Sequence, residues 1–198
     1  ASLVFTDSNW ASAQTVTVTG VNDDIDDGNQ AYNIVLAAAT SSDSNYNGVN
    51  PDDVSVSNTD NNTAGFTVSA ISGATTEAAG TATFTVVLTS EPTSDVTIGV
   101  SSSDTGEGTV NTASLVFTDS NWASAQTVTV SGVNDDIDDG DQAYNIVLAA
   151  ATSSDSNYNG VNPDDVSVTN SDNDTKGITV SAISGATTEA AGTATFTV

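Results

Sequence analysis

Apolar side chains along the middle of this chain alternate with threonine and serine, the two-residue period of a β-strand that buries one face. Seven short segments between residues 66 and 168 show this alternation. We name them predicted strands A to G; they cover residues 66–68, 82–88, 96–100, 115–117, 128–130, 144–148 and 166–168. The only alanine-rich stretch, 149–151, is short and follows a strongly alternating run, so helix is not expected.

Seven such strands, separated by turns rich in glycine, aspartate, asparagine and serine, predict an all-β fold. The expected architecture is a seven-stranded antiparallel β-sandwich of immunoglobulin-like build. A domain of this length is large enough to bury a hydrophobic core.

The chain also repeats itself, because residues 113–198 match residues 1–86 at a constant offset of 112 with seven substitutions. The exchanges are Thr19/Ser131, Asn29/Asp141, Ser57/Thr169, Thr59/Ser171, Asn62/Asp174, Ala64/Lys176 and Phe66/Ile178. Solenoid repeats are only about 20–50 residues long, whereas this period has the size of one independently folding domain. The sequence therefore predicts near-identical domains in tandem.

Domain boundaries are expected at residues 60–65 and 172–177, where polar residues separate two alternating segments. Residues 65–176 then form one complete repeat, residues 1–64 carry strands D to G of another, and residues 177–198 carry strands A and B of the next. Neither fragment closes a sandwich alone, because each leaves sheet edges and half a core exposed. Either the sequence is a segment of a long polymer, which we favour, or neighbouring molecules supply the missing strands.

Charge narrows the class of function, because 26 acidic residues face a single basic one, Lys176, for a net charge of −25. Such a surface repels nucleic acid and anionic membranes and attracts cations. Without cysteine or histidine the chain offers no disulfide framework, thiol nucleophile or typical zinc or copper site. No apolar run approaches the ~20 residues of a membrane span, so direct membrane insertion is not expected.

The acidic side chains concentrate at one end of the predicted sandwich. In an up-and-down order, the A–B, C–D and E–F loops lie at the same end as the segment that follows strand G. The carboxylates there belong to Glu77, Asp104, Asp135, Asp136, Asp138, Asp139, Asp141, Asp172 and Asp174; the first copy has Asp23, Asp24, Asp27 and Asp60. They would repel one another strongly without a cation. Calcium, which takes six to eight oxygen ligands, suits them best; a solvated acidic loop is the alternative.

A second, weaker candidate site lies in the F–G loop, where D-x-N-x-N-G spacing reproduces the first half of a calcium-loop motif. Its residues are Asp155, Asn157 and Asn159, with Asp43, Asn45 and Asn47 in the first copy. The twelfth position of the motif is Val166 rather than an acid. The alternative is a hairpin loop that turns at Asn159 and Gly160.

Catalysis is not expected. Residues 104–106 read D-T-G, as in aspartic proteases, but those enzymes need two carboxylates that share a proton. A serine nucleophile would lack a histidine base. Paired carboxylates hydrolyse glycosides in other proteins, yet an enzyme gains nothing from copying its whole domain, whereas a spacer gains length.

Three stretches of the repeat resemble the Calx-β family: T-T-E-A-A-G-T-A-T-F-T-V, then A-S-L-V-F-T through A-Q-T-V-T-V-S-G-V-N-D-D, and the closing S-D-N-D. The resemblance implies a seven-stranded sandwich that binds calcium at one end. It also implies a ligand set, Glu77, Asp104, Asp135, Asp139, Asp172 and Asp174. The first copy matches at Asp23, Asp27 and Asp60 but has Asn62 where the second has a carboxylate, which implies a weaker site.

The tandem, lysine- and arginine-poor repeats are also similar to the extender regions of giant bacterial adhesins. Taken together, these patterns predict a calcium-stabilised structural repeat of a secreted or surface-anchored bacterial protein, an extender or filament shaft. Its expected partners are neighbouring repeats and other copies in a filament. Two alternatives stay open: a calcium-dependent carbohydrate-binding module, and a self-assembling extracellular fibre whose chains share strands.

Overall fold

A computed structural model describes residues 2–198, and every regular element in that range is a β-strand. The strands are β1 Gln30–Ile34, β2 Val54–Asn58, β3 Phe66–Val68, β4 Thr75–Thr76, β5 Thr81–Leu88, β6 Val96–Ser102, β7 Gly108–Val110, β8 Ser114–Phe117, β9 Gln126–Gly132, β10 Gln142–Leu148, β11 Thr152–Ser153 and β12 Val166–Ser171. The chain divides into two compact units, Ala1–Thr63 and Ala64–Val198, here called unit 1 and unit 2. The described residues contain no helix with the length and apolar character needed to cross a membrane.

Unit 2 contains two sheets, and predicted strands A to G correspond to β3, β5, β6, β8, β9, β10 and β12. One sheet has the order β3-β5-β9-β7. The other has the order β11-β6-β10-β12-β4, with β8 also paired to β6. The predicted all-β sandwich is confirmed. The division of the chain into a complete repeat at 65–176 and two partial repeats stays a prediction.

Three short strands were not predicted, because none of them contains two apolar side chains in alternation. They are β4, β7 and β11. Strand β4 pairs with β12 in parallel, Asn170 opposite Thr75 and Ser171 opposite Thr76, so the sandwich is not wholly antiparallel. Strand β7 pairs with β9, with Gly108 opposite Gly132. Both strands lie at the end of the sandwich where the acidic loops were expected.

The alternating side chains meet in one core. At most 1% of the surface is exposed in each of its central residues, Phe84, Ile98, Phe117, Val128 and Ile146. Phe66 and Trp122 cover this core from its margin and are only partly buried. Burying each large apolar side chain contributes about 1.5–3 kcal/mol, so this core holds the acidic loops on a fixed frame.

Residues 1–64 were expected to supply strands D to G, and this assignment stays a prediction for unit 1. In its described part, only β1 and β2 pair, and these match strands F and G. Leu3 and Phe5, which match strand D, are 41% and 55% exposed, whereas their repeats in unit 2, Leu115 and Phe117, are 4% and 0% exposed. The reason is pairing, because β8 and β9 of unit 2 pair with β5, β6 and β7, for which the described residues of unit 1 have no counterpart.

The assignment of residues 177–198 to strands A and B of a further repeat also stays a prediction. Within that described range, backbone bonds join Ser181 to Thr197 and Ser184 to Thr195, and a bridge joins Thr188 to Gly192, but no strand forms. In the complete repeat, β5 pairs with β9 on its other side. A hairpin without that third strand is marginal in water.

Candidate metal centre

The carboxylates of unit 2 gather at one end of the sandwich, which we call the acidic pole. Strands β4, β9 and β12 end there, and they lead directly into Glu77, the loop 133–141 and the segment 172–176. Strand β7 begins there, directly after Glu107. Pairing of β4 with β12 and of β7 with β9 brings four acid-bearing segments together.

Two groups of three carboxylates lie at the acidic pole, Glu77 with Asp135 and Asp174, and Glu107 with Asp135 and Asp139. In each group, one ligand oxygen from every residue lies within 4.8 Å of the others. Calcium–oxygen bonds of 2.3–2.6 Å place two ligands of one ion at most about 5 Å apart. Each group therefore has the spacing of a calcium site, and Asp135 belongs to both.

Asp172 holds the frame of the pole instead of belonging to either group. Its Oδ1 accepts a hydrogen bond from Asp174 N at 2.7 Å, and its Oδ2 accepts one from Gly140 N at 2.7 Å. These bonds lower the pKa of Asp172 despite its burial. Asp141 Oδ1 in turn accepts a bond from Asp172 N at 3.1 Å. The loop 133–141 is thereby fixed against the segment after β12.

Glu77 is the most buried carboxylate of the pole, at 5% exposure. Its Oε2 accepts hydrogen bonds from both nitrogens of Asn173, N at 3.0 Å and Nδ2 at 3.1 Å. The Asn173 backbone bond by itself lowers the pKa of Glu77. Burial and the charges of Asp172, Asp135 and Asp174 outweigh it, so the net pKa is raised.

Asp174 carries a negative charge that the surrounding described residues do not stabilise. Burial, followed by the charges of Asp136, Asp172, Asp135 and Asp138, raises its pKa. Its Oδ2 is buried and accepts no hydrogen bond from any described residue. A buried charged oxygen without a partner is costly, and a cation at this position removes that cost.

The candidate ligand atoms at the acidic pole fit calcium. All ligand candidates are carboxylate oxygens, which hard cations such as calcium prefer. The unpartnered Asp174 oxygen points to the same conclusion, since it needs a positive charge rather than another acceptor. Residues Glu77, Glu107, Asp135, Asp139 and Asp174 would hold the ion or ions.

Four of the expected ligands of the second copy, Glu77, Asp135, Asp139 and Asp174, come together in this way. Asp136 lies near enough to raise the pKa of Asp174 but is in neither group found among the described residues. Asp138 accepts a hydrogen bond from Lys176 N at 2.7 Å, and Lys176 Nζ lies 3.9 Å from its Oδ2.

Asp104 is also outside both groups formed by the described residues. Its Oδ1 accepts a bond from Gly106 N at 2.9 Å, so its carboxylate stabilises the turn before β7. Glu107, three residues further on, belongs to one of the two groups and was not among the residues predicted from sequence. The available signal was a second acid in the C–D connection, but the strand that follows it, β7, has one apolar residue, Val110, and so shows no alternation.

In unit 1, Asp23, Asp27 and Asp60 line a cavity of about 210 Å³. No group of three carboxylates with metal-site spacing forms among the described residues of this unit, Asp24 included. The reason is that unit 1 holds no counterpart of Glu77 or Glu107. Asp60 repeats the role of Asp172 and accepts bonds from Gly28 N and Asn62 N, both at 2.7 Å.

The F–G loop motif is built into the fold through hydrogen bonds. Asp155 Oδ1 accepts a bond from Asn157 N at 2.9 Å, and its Oδ2 accepts one from Thr93 N at 2.8 Å. Asn159 Oδ1 accepts a bond from Ser153 N at 3.3 Å. These oxygens accept backbone N–H groups of the loop and of Thr93, and a second calcium site here stays a prediction.

The same loop turns around Tyr158, which is buried and bonded through its hydroxyl to three atoms of Ser90, N at 3.1 Å, Oγ at 2.9 Å and O at 2.6 Å. In the first copy Asp43 makes the corresponding local bonds, to Asn45 N and Nδ2, while Tyr46 is exposed. Asn47 Oδ1 accepts from Ser41 N at 3.2 Å, as Asn159 does from Ser153. The local loop therefore forms in both copies, and only unit 2 anchors it to the residues after β5.

The comparison with protein families agrees with this geometry. The model of the Calx-beta domain matches residues 1–62 and residues 57–174. No curated protein matches the chain. The family consists of calcium-binding structural β-sandwich domains without catalytic function, in accord with the expectation of a non-enzyme. This chain, with its tandem β-sandwich repeats, belongs to the Calx-beta domain family.

Proposed function

We propose that this chain is a calcium-stabilised structural repeat of a secreted or surface-anchored bacterial protein, where it serves as an extender or filament shaft in adhesion. The observation that supports the proposal is that the segment 172–176, the predicted link to the next repeat, forms part of the acidic pole. Near-identical copies at an offset of 112 support a role in which length is the product.

The segment 172–176 is held on several sides by the domain that it leaves. Asp172 accepts the Gly140 N–H, Asn173 donates to Glu77, and Lys176 N–H is donated to Asp138. Asp174 completes a carboxylate group with Glu77 and Asp135. The charges of this pole repel one another, so without compensation they push the segment away from the loop 133–141.

These carboxylates would coordinate calcium together, and the charge of the ion would offset their repulsion. The residues of the pole then tie the exit segment to β4 and to the loop after β9. A tied exit segment limits the angles available to the next repeat, which is what a stiff shaft requires. Neighbouring repeats, and other copies in a filament, are the proposed partners.

The first test is thermal unfolding of the chain in calcium and in chelator. A single site on the folded chain contributes roughly 2.7 kcal/mol at a ligand concentration 100-fold above Kd. Extracellular calcium modules bind at about 10⁻⁴–10⁻³ M, so a few millimolar calcium should raise Tm, with magnesium as the comparison ion. Equal Tm in calcium and chelator would contradict the proposal. Calcium-dependent capture on a glycan array would instead favour a carbohydrate-binding module.

A further inference from the structure

A buried polar network lies directly beneath the acidic pole, formed by Asn170, Thr75 and Tyr144, which we call the Asn170 network. These side chains are 1%, 0% and 5% exposed. Thr75 Oγ1 lies 3.0 Å from Asn170 Oδ1 and 3.0 Å from the Tyr144 hydroxyl. The Tyr144 ring packs in the hydrophobic core, and these polar contacts are additional to that apolar packing.

The amide of Asn170 also reaches two segments that carry candidate ligands. Its Nδ2 donates to Val133 O at 2.9 Å and to Glu107 Oε2 at 3.3 Å. Asparagine has one acceptor and two donor hydrogens, and here the carbonyl and the amide nitrogen are both used. An apolar side chain of the same size would satisfy none of these partners.

Each contact of the Asn170 network lies close in sequence to a candidate ligand. Thr75 is two residues before Glu77, and Val133 is two residues before Asp135. Asn170 itself is four residues before Asp174, and Glu107 is bonded directly. One side chain thus fixes the relative positions of the four segments that form both carboxylate groups.

Two glycines leave room for this arrangement. A side chain at Gly132 would collide with Asn170 Oδ1 and with the Thr76 carbonyl, and one at Gly108 would collide with the Tyr144 ring. A buried polar network is stabilising only when every group is satisfied, and apolar packing is often at least as stable. Close packing around an amide at this position is therefore better explained by what it positions than by core stability.

We propose that Asn170 is the positioning residue of the acidic pole, holding Glu107 directly and Glu77 and Asp135 through Thr75 and Val133 in the arrangement that binds calcium. This inference rests on the proposed calcium binding. It assigns a role to a residue that touches no ion and carries no charge.

The repeat offers a matched control. Asn58 is the counterpart of Asn170, and its Nδ2 donates to Val21 O at 2.7 Å, as Asn170 donates to Val133. Unit 1 has no counterpart of Thr75 or Glu107, so Asn58 holds no candidate ligand pair. Tyr32 is in the same way the counterpart of Tyr144 and is 37% exposed.

The experiment titrates the full 198-residue chain with calcium chloride, using calorimetry or a competing chelator dye, at a temperature well below the Tm of every variant. Removal of a residue that orients metal ligands costs roughly 10–100-fold in affinity. Asn170→Ala should show a loss of this size, and Asn58→Ala should leave the affinity unchanged. Tyr144→Phe, which removes only the hydroxyl bonded to Thr75, should show a smaller loss than Asn170→Ala, with Tyr32→Phe as its control.

The decisive readout is the Kd for calcium. Substitution of a merely structural residue would lower Tm in chelator but leave this Kd unchanged. A lower Tm together with a wild-type Kd for Asn170→Ala would overturn the proposal. If that variant does not fold, an unchanged Kd for Tyr144→Phe overturns it instead. Absence of calcium binding by the wild-type chain is a different outcome, since it refutes the proposed function from which this inference starts.

Discussion

At the scale of single residues, the aspartates of this chain have two distinct roles, stabilising turns and, at the acidic pole, offering oxygens to a metal ion. Many accept the backbone N–H two residues ahead, an Asx turn that the sequence position alone allows. Asp104, Asp135, Asp155 and Asp172 all do so. Ligand capacity therefore depends on which oxygens remain, and Asp174 Oδ2 is the clearest case of one that does.

In the C–D connection Glu107, not Asp104, belongs to a carboxylate group, and this difference leads to a direct prediction. Glu107→Gln should weaken calcium binding by roughly 10-fold or more, in line with the loss of a carboxylate ligand or its support. Asp104→Asn should change it little, because Asp104 belongs to neither carboxylate group. Titration of the two variants side by side checks this, and a larger loss for Asp104→Asn would return Asp104 to the ligand set.

Asp155 gives a prediction about pH. Burial by itself raises the pKa of Asp155, but hydrogen bonds from Thr93 and Asn157 outweigh it, so the net pKa is below its ordinary value of 3.8. A lowered folded pKa means that the carboxylate stabilises the fold above about pH 4, and that this contribution is lost as pH falls through the folded pKa. Asp155→Asn should cost roughly 1–3 kcal/mol at neutral pH.

Urea unfolding at pH 7 and pH 3 checks this contribution. The stability gap between wild type and Asp155→Asn should narrow at pH 3, because below about pH 4 the unfolded wild-type chain takes up a proton at this carboxylate more readily than the folded chain does. Asp43→Asn is the matched control, since Asp43 bonds only within its own loop. A gap of the same size at both pH values would mean that the charge of Asp155 is unimportant.

At the scale of elements, a segment becomes a strand only where its partner is present. The sequence of β8 and the sequence of residues 2–5 are the same apolar pattern, yet only the first is a strand, because it pairs with β6. The polar ends of β4 and β12 show the converse. Thr75 and Thr76 have no strand pattern of their own and are made a strand by pairing with Asn170 and Ser171.

Fragment folding tests this dependence. Residues 65–176 contain all the strands of both unit 2 sheets, so this fragment should unfold cooperatively as a β-rich monomer. Residues 1–64 should not, because Leu3 and Phe5 lack the partners that bury Leu115 and Phe117. Circular dichroism with thermal melts distinguishes the two results. Cooperative melting of the 1–64 fragment as a monomer would show that the repeat begins elsewhere.

At the scale of the whole molecule, the charge of −25 makes cations part of the mechanics. Exposed charges separated by more than about 10 Å are screened at 0.1 M salt, but the carboxylate groups of the acidic pole are far closer than that. Monovalent salt should therefore relieve their repulsion only in part. A divalent ion bound between them acts at the short range where screening is weak.

A four-repeat array tests the stiffness that we propose. The double substitution Asp135→Asn and Asp139→Asn removes charge from both carboxylate groups. In calcium, the end-to-end distance of the substituted array should therefore be shorter and more variable than that of the wild-type array. Asp155→Asn, whose carboxylate serves the F–G loop, should not change it. Small-angle scattering or single-molecule imaging with and without calcium gives the comparison. Equal rigidity in both conditions would assign the stiffness to direct domain contacts.

Local patterns were enough to predict much of this architecture. The period-two alternation of segments such as 82–88 and 144–148 reports directly which face is buried, so strand identity and the sandwich follow from sequence. The 112-residue offset reports the tandem arrangement. Connectivity alone predicts that alternate loops share one end, and Glu77, Asp135 and Asp174 do meet there.

What the sequence by itself determined is therefore the set of long strands, the repeat and the end of the sandwich where acid collects. The tertiary structure alone decided which oxygens at that end are available, because this depends on contacts between distant residues. Pairing of β4 with β12 brings Thr75 to Asn170, and pairing of β7 with β9 brings Glu107 to Asp135. The Oδ2 of Asp155 is likewise used by the N–H of Thr93, a residue distant in sequence that only the fold brings within hydrogen-bond reach.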